Sequence, residues 1–447
     1  MMIKDDKRII NAWTFYDWAN SSFPLVINSA IFPIFYEART TLRDAHGALI
    51  SNKVDVFGFQ MENAVLYSFV VALALIVVCF TAPILSGVAD YSGNKKKFLS
   101  AFCILGSVSC AGLYFFDPAH IVLSMLPFFL ATIGFWGSLV FYNAYLPEIA
   151  SAENQDRVSA KGFARGYFGS SILLIINLVL IQAFHMPAVF SFITVAVWWL
   201  GFAQITLNVL KDHNTERKEG GMSLTKGFKE LSKVWNELKQ DKRIKRFLSS
   251  YFLYNMGVQT VLYMAVLFAA KEINWPRLPS GAIDEAYKST ALIISILLIQ
   301  FLGMGGSYLF SFVSSKIGNI PALKWAVFFW GLVCAGVFFF VYEPVHFYIT
   351  AALVGLVMGG TQSLSRSTYS KLLPETEDHA SYFSFFDVLE KMGMVVGTFS
   401  FGLIEQVTGG MRNSILALIT FFALGLIALL LVPREKKEAD GVMQPLK

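Results

Sequence analysis

Uncharged runs recur from FPLVINSAIFPIFY near the start of the chain to ITFFALGLIALLLV near its end. Each approaches the ~20 residues that a helix needs to cross ~30 Å of hydrocarbon. No other feature restricts the fold so tightly. In lipid every backbone N–H and C=O must find its partner within the protein, and continuously apolar runs do so as helices. With 55% hydrophobic residues, 15% charged residues and 42 Phe among 447 positions, a water-soluble fold would leave apolar surface uncovered. The sequence therefore reads as an all-α integral membrane protein with twelve transmembrane helices. They are expected near 13–36, 63–86, 98–116, 120–146, 165–184, 187–210, 246–270, 289–314, 321–341, 345–366, 383–406 and 412–433.

Lys and Arg set the expected orientation. A cytoplasmic N-terminus places most of the 36 basic residues, including Lys95, Lys96 and Lys97, on the cytoplasmic side, where such residues concentrate. Both termini are then cytoplasmic. The positive charge follows from topology, so no nucleic-acid partner is implied. The first span is too long for a signal peptide and carries Asp17. Compact length and short tails suit a bacterial inner membrane.

The chain divides into a six-helix unit over 1–210, a linker over 211–245 and a second six-helix unit over 246–447. In the linker Leu224, Phe228, Leu231, Trp235 and Leu238 recur at helical spacing among basic residues, which predicts an amphipathic helix lying on the anionic inner leaflet. The two units resemble each other. YNAYLPE at 142–148 echoes YSKLLPE at 369–375, and GVADYSGN at 87–94 echoes FVSSKIGN at 312–319, at nearly the same offset. This argues for a duplication, with a pseudo-two-fold axis along the membrane normal.

GVADYSGNKKK (87–97), between the second and third spans, resembles the signature loop of the major facilitator superfamily through Gly87, Asp90, Gly93 and Lys95 to Lys97. Gly93 suits a tight turn and Gly87 a close helix approach. Asp90 is placed to accept hydrogen bonds at a helix N-terminus, and the lysines to pair with acids or headgroups. YDWANSSF (16–23), LPEI (146–149), RVSAKGFARGYFGS (157–170) and YFLYNMGVQT (251–260) resemble the vacuole-effluxer-like branch, which includes the autophagy-related amino-acid effluxers. This resemblance implies secondary transport of amino acids or similar small solutes, in the efflux direction, driven by a proton or other ion gradient and without a bound cofactor. Where the branch often has an acid after YN in the seventh span, this chain has Met256, which puts proton coupling there in doubt.

Polar residues within the spans are the candidate site. Asp17, Asn20 and Asn28 share one face of the first span, and Tyr251, Asn255 and Gln259, with Tyr254 nearby, share one face of the seventh. Two symmetry-related helices with amides and aromatics would frame a central substrate cavity of Asn20, Asn28, Tyr254, Asn255 and Gln259. Asp17 lies about one turn from the cytoplasmic end, so helix capping and gating both account for it. In the eleventh span Asp387 and Lys391 are spaced to pair, and Glu390 is the candidate for proton coupling. Arg366 closes the tenth span, with Glu375 or Asp387 as its expected partner. Cys79, Cys103, Cys110 and Cys334 lie in apolar runs without metal-binding or disulfide spacing, and no catalytic or nucleotide-binding motif occurs. The chain is thus expected to be a transporter rather than an enzyme, working as a monomer in the lipid bilayer on a small-molecule substrate. An exporter of amphiphilic or aromatic compounds and a non-transporting membrane sensor stand as alternatives.

Overall fold

The computed structural model describes residues 3–43, 49–211, 224–279 and 281–433. The helices are α1 (Lys7–Asn20), α2 (Phe32–Thr40), α3 (Asn63–Ser92), α4 (Lys95–Gly112), α5 (Ile121–Asn143), α6 (Leu146–Ile149), α7 (Gln155–Gln182) and α8 (Phe190–Val209). A connecting helix α9 (Leu224–Gln240) leads to α10 (Lys242–Glu272), α11 (Glu285–Ile317), α12 (Asn319–Phe340), α13 (Pro344–Leu372), α14 (His379–Thr408) and α15 (Ile415–Leu430). Among the described residues ten helical segments are long and apolar enough to cross a membrane. Two more expected spans fall outside that group for local reasons. Asp387, Glu390 and Lys391 interrupt the apolar character of α14. The first span is broken by a π-helical turn, Phe23–Ile31, between α1 and α2.

The break follows from composition. Pro24 and Pro33 lack an N–H, so the regular ladder cannot run through them, and Phe32 N–H instead reaches back five residues to Ile27. Other boundaries shift for a similar reason of local chemistry. The fifth span begins ten residues earlier than its apolar run, because QDRVSAKGFA is helical and packs against protein rather than lipid. The 37–62 connection holds two small antiparallel hairpins, Leu42–Arg43 with Leu49–Ser51 and Lys53–Val56 with Phe59–Glu62.

Helix pairing repeats along the chain. α1 packs on α7 and α8 as α10 packs on α14 and α15; α3 packs on α5 as α11 packs on α13; α4 packs on α5 and α8 as α12 packs on α13 and α15. Between the two sets, α7 meets α11 and α3 meets α14. We call the end bearing Lys95 and α9 the basic face, and the opposite end the hairpin face.

The linker departs from expectation. Rather than lying free on a leaflet, α9 docks on α3 and reaches α14. Val234 and Leu238 are buried, Trp235 stacks on Phe385 at 5.4 Å, Lys233 pairs with Asp378 at 2.9 Å, and Tyr382 donates to Glu237. Burial against protein supplies the apolar contact that the leaflet would otherwise supply, and adds charge pairs that lipid tails cannot. Phe228, 62% exposed, and Trp235, 46% exposed despite its stacking, are the parts of the expected stripe that stay outward. His213 and the side chain of Leu224 lie outside the described residues.

Candidate functional site

Between the two helix sets lies a cavity of about 290 Å³. All five residues expected to line it do so: Asn20 and Asn28 from the first span, and Tyr254, Asn255 and Gln259 from α10. Helical spacing explains the convergence, since 251, 255 and 259 fall on one face of α10 and that face turns toward α14. Gln259 Nε2 donates to Glu390 Oε1 at 2.8 Å, and Asn255 Nδ2 donates to the Glu390 carbonyl at 3.3 Å. Tyr254 OH lies 2.7 Å from Ser365 Oγ. Asn28 shares a contact with Tyr67 OH, 3.3 Å from its carbonyl. Asn20 differs from these. Its side chain is 1% exposed, faces the cavity, and leaves the Nδ2 donors without a partner among the described residues. A buried amide without its hydrogen bonds costs about 1–3 kcal/mol, so a ligand that accepts from Nδ2 recovers that deficit.

Toward the basic face the cavity ends on an ion pair. Arg366 of α13 and Asp17 of α1 meet at 3.3 Å, both nearly inaccessible. Each of the five guanidinium N–H donors has an acceptor: Nη1 and Nη2 reach Asp17 Oδ2, Nη1 reaches Asn143 Oδ1 at 3.2 Å, Nε reaches Ser159 Oγ at 2.9 Å, and Nη2 reaches the Ser159 carbonyl at 2.9 Å. Tyr142 OH donates to the same Asp17 oxygen at 2.8 Å. Phe163 and Trp13 flank the guanidinium, with ring centres 4.2 and 4.9 Å away. Gly162 makes this possible, since a Cβ there would overlap Asp17 Oδ2 and lie 2.9 Å from Arg366 Nη2. The expected partners of Arg366, Glu375 and Asp387, are therefore corrected to Asp17. Asp17 is neither a free cap nor an isolated acid, because a fully bonded guanidinium from the other helix set neutralises it.

The three charges of α14 separate. Glu390 faces the cavity. Asp387 and Lys391 pair at 2.5 Å on another face, with Lys391 Nζ 4.2 Å from the Trp136 ring centre on α5. Lys391 thus contacts the opposite helix set, and neither residue lines the cavity.

Further contacts seal the basic face. Gly93, at φ 66°, ends α3 in the left-handed conformation that favours glycine. Asp90 accepts from the Ala380 and Ser381 N–H groups at 3.2 and 2.7 Å, at the start of α14. Lys95 pairs with Glu148, which lies 3.2 Å from His379 Nδ1. Gly87 is buried, Lys96 is half-buried and Lys97 is exposed. On the pseudo-symmetric side Asp156 takes Lys371 at 2.7 Å, Asn319 at 2.7 Å and Ser314 at 2.9 Å.

The chain matches the family described as "vacuole effluxer Atg22 like" over residues 5–442. The chain belongs to this Atg22-like family. Among its relatives, the uncharacterized MFS-type transporter YxiO of Bacillus subtilis (strain 168) is 28% identical, the alignment covering 97% of each chain. Autophagy-related protein 22 of Yarrowia lipolytica (strain CLIB 122 / E 150) is 25% identical over 87% of this chain and 79% of its own. The fucose:proton symporter FucP of E. coli shares the fold, with a TM-score of 0.67 and 15% identity over 96% of this chain and 98% of its own. This Atg22-like protein is a multi-pass membrane transporter of the major facilitator superfamily, not an enzyme.

Several residues of the Atg22-like site escape a reading by hydropathy. Asn143 and Ser159 lie at ends of apolar runs and carry no isolated charge, yet both hold Arg366. Tyr167 donates to Gln362 at 2.5 Å across the helix sets. Trp136 and Gln300 line the cavity. The echo between YNAYLPE and YSKLLPE marks the segment of Asn143 without revealing its role.

Proposed function

We propose that this Atg22-like transporter is a secondary carrier of small zwitterionic solutes, amino acids foremost, moving them out of the cytoplasm of a bacterium by alternating access. Twelve membrane crossings in two six-helix units over 1–210 and 246–447, joined by 211–245 and oriented with both termini in the cytoplasm, make the basic face the inner one. The single observation that carries the reading is the meeting of amides from α1 and α10 in one cavity, which the unpartnered Asn20 donors and the carboxylate of Glu390 both line. A solute carboxylate suits Asn20, and an ammonium suits Glu390 and the surrounding aromatic faces. The Asp17–Arg366 pair closes the path to the basic face, and Glu390 is the group through which a proton gradient acts. The transporter works as a monomer.

The test is efflux and counterflow in proteoliposomes across the amino acids, with amphiphilic aromatic compounds as a second set. Asn20→Ala and Gln259→Ala are expected to cut amino-acid flux at least about tenfold, the effect of losing roughly 1.4 kcal/mol of binding, with membrane levels unchanged. Flux of the second set alone, or normal kinetics in both variants, refutes the proposal.

A further inference from the structure

The stretch RVSAKGFARGYFGS lends Ser159, Gly162, Phe163 and Tyr167 to the site above but leaves three cations, Arg157, Lys161 and Arg165, unaccounted for. Lys161 and Arg165 stand one turn apart on α7, a spacing at which like charges repel. Yet they converge on one residue of α1. Lys161 Nζ donates to Asn11 Oδ1 at 2.5 Å, and Arg165 Nη2 donates to the same oxygen at 3.3 Å. Arg165 Nη1 also donates to the Asn11 carbonyl at 2.9 Å and to Thr14 Oγ1 at 2.5 Å, with the guanidinium 4.7 Å from the Phe15 ring centre. Both cations are half-buried.

Neither meets a carboxylate among the described residues. Arg157, one turn earlier on α7, is the remaining charge acting on Lys161. Other cations toward this face have acids: Lys95 takes Glu148, Arg366 takes Asp17, Lys371 takes Asp156. The bonds to Asn11 and Thr14 leave Arg165 its Nε–H and one Nη2 hydrogen, and leave Lys161 two of its three donors. That set matches a phosphate, with a planar guanidinium edge beside a mobile point charge. From Arg165 the same face of α7 continues through Phe168, Ile175 and Val179, all exposed. Anionic headgroup and apolar tail are both provided for.

We propose that Lys161 and Arg165 form a phosphate site, filled by the phosphodiester of an anionic membrane lipid whose acyl chain lies along Phe168, Ile175 and Val179. Native mass spectrometry of the full chain, released from mixed phosphatidylglycerol and phosphatidylcholine micelles, tests it. Two interfacial charges favour an anionic headgroup, so wild type is expected to retain phosphatidylglycerol roughly tenfold or more over phosphatidylcholine, and Lys161→Gln/Arg165→Gln to lose that preference. Asn11→Asp guards against a folding artefact, since it places a carboxylate where the two cations meet. It is expected to melt no lower than wild type and to lose the preference as well. Thermal stabilisation by inorganic phosphate that matches the effect of the lipid would locate the source in solution and refute the lipid assignment. Equal retention of the two lipids by wild type, or an intact preference in a folded Asn11→Asp protein, overturns the phosphate site itself.

Discussion

Replacing Asp17 by Asn tests whether the buried ion pair holds the basic face shut. Arg366 is 3% exposed, and its five N–H donors are all engaged, two of them on Asp17. The substituted amide would retain a hydrogen-bonding oxygen but remove the only carboxylate that touches the guanidinium among the described residues. Removing one partner of a buried pair costs about 3–5 kcal/mol, chiefly because the other charge stays desolvated and uncompensated. Asp17 and Arg366 belong to different helix sets, so this cost falls on the conformation in which the sets touch. The equilibrium should shift toward opening of that face by roughly two to nearly four powers of ten. Nitroxide labels on the exposed positions of Lys97→Cys and Glu375→Cys, with the four native cysteines replaced, report the separation of the two sets by double electron–electron resonance. The expected result is a longer-distance population that dominates in Asp17→Asn and recedes in Asp17→Asn/Arg366→Gln, where no orphaned charge remains. An unchanged distance distribution in the single variant would refute the reasoning. So would a double variant as open as the single one, because the cost would then not arise from a stranded charge.

Gly162→Ala should open the same face by a different route, since its new methyl overlaps Asp17 Oδ2; overpacking of this kind costs about 1–3 kcal/mol, read as a lowered melting temperature together with the longer label distance. Leu238→Asp places a charge in the buried contact of α9 and should release that helix, making Lys233 and Glu237 accessible to protease while Asn20 and Gln259 variants leave cleavage unchanged. Glu390→Gln is expected to abolish pH-driven accumulation while sparing counterflow; loss of both would give Glu390 a structural role. Arg366→Lys should behave as a partial opening variant, because an ammonium offers three donors where five are used and cannot span Asp17, Asn143 and Ser159 together.

Hydropathy and residue spacing located the helices because both signals are local: an apolar run has one stable conformation in lipid, and positions 251, 255 and 259 share a helix face whatever surrounds them. The cavity lining followed from the same spacing applied to two related helices. Partner identity did not follow. Glu375 and Asp387 lie closer to Arg366 in sequence than Asp17 does, yet the acid that meets Arg366 is 349 positions away. Only the packing of α13 against α7, with Gly162 making room, brings the two together. The linker misled for a related reason. An amphipathic stripe states that a helix buries one face, not whether lipid or protein covers it, and Val234, which did not belong to the expected stripe, proved as buried as Leu238. The charges of α14 show the limit of intramembrane polarity as a guide, because Glu390 and Lys391 are neighbours in sequence and face different surroundings.

The two clasps at the basic face are not copies of each other. Asp90 and Asp156 both come from the first helix set, and what they grip, the N-terminus of α14 in one case and Lys371 with Asn319 in the other, comes from the second. At the place of Asp90 the second copy of the loop has Ser315. The duplicated units have thus become complementary rather than identical, one supplying acids and the other receiving them. Two first halves brought together would oppose Asp90 to Asp156, and two second halves would set Ser315 where Asp90 now grips the start of α14. Pairing between unlike halves is written into the seam, so the chain folds onto itself instead of onto a neighbour's corresponding half, and a gene fusing two copies of either unit would lack a working closure.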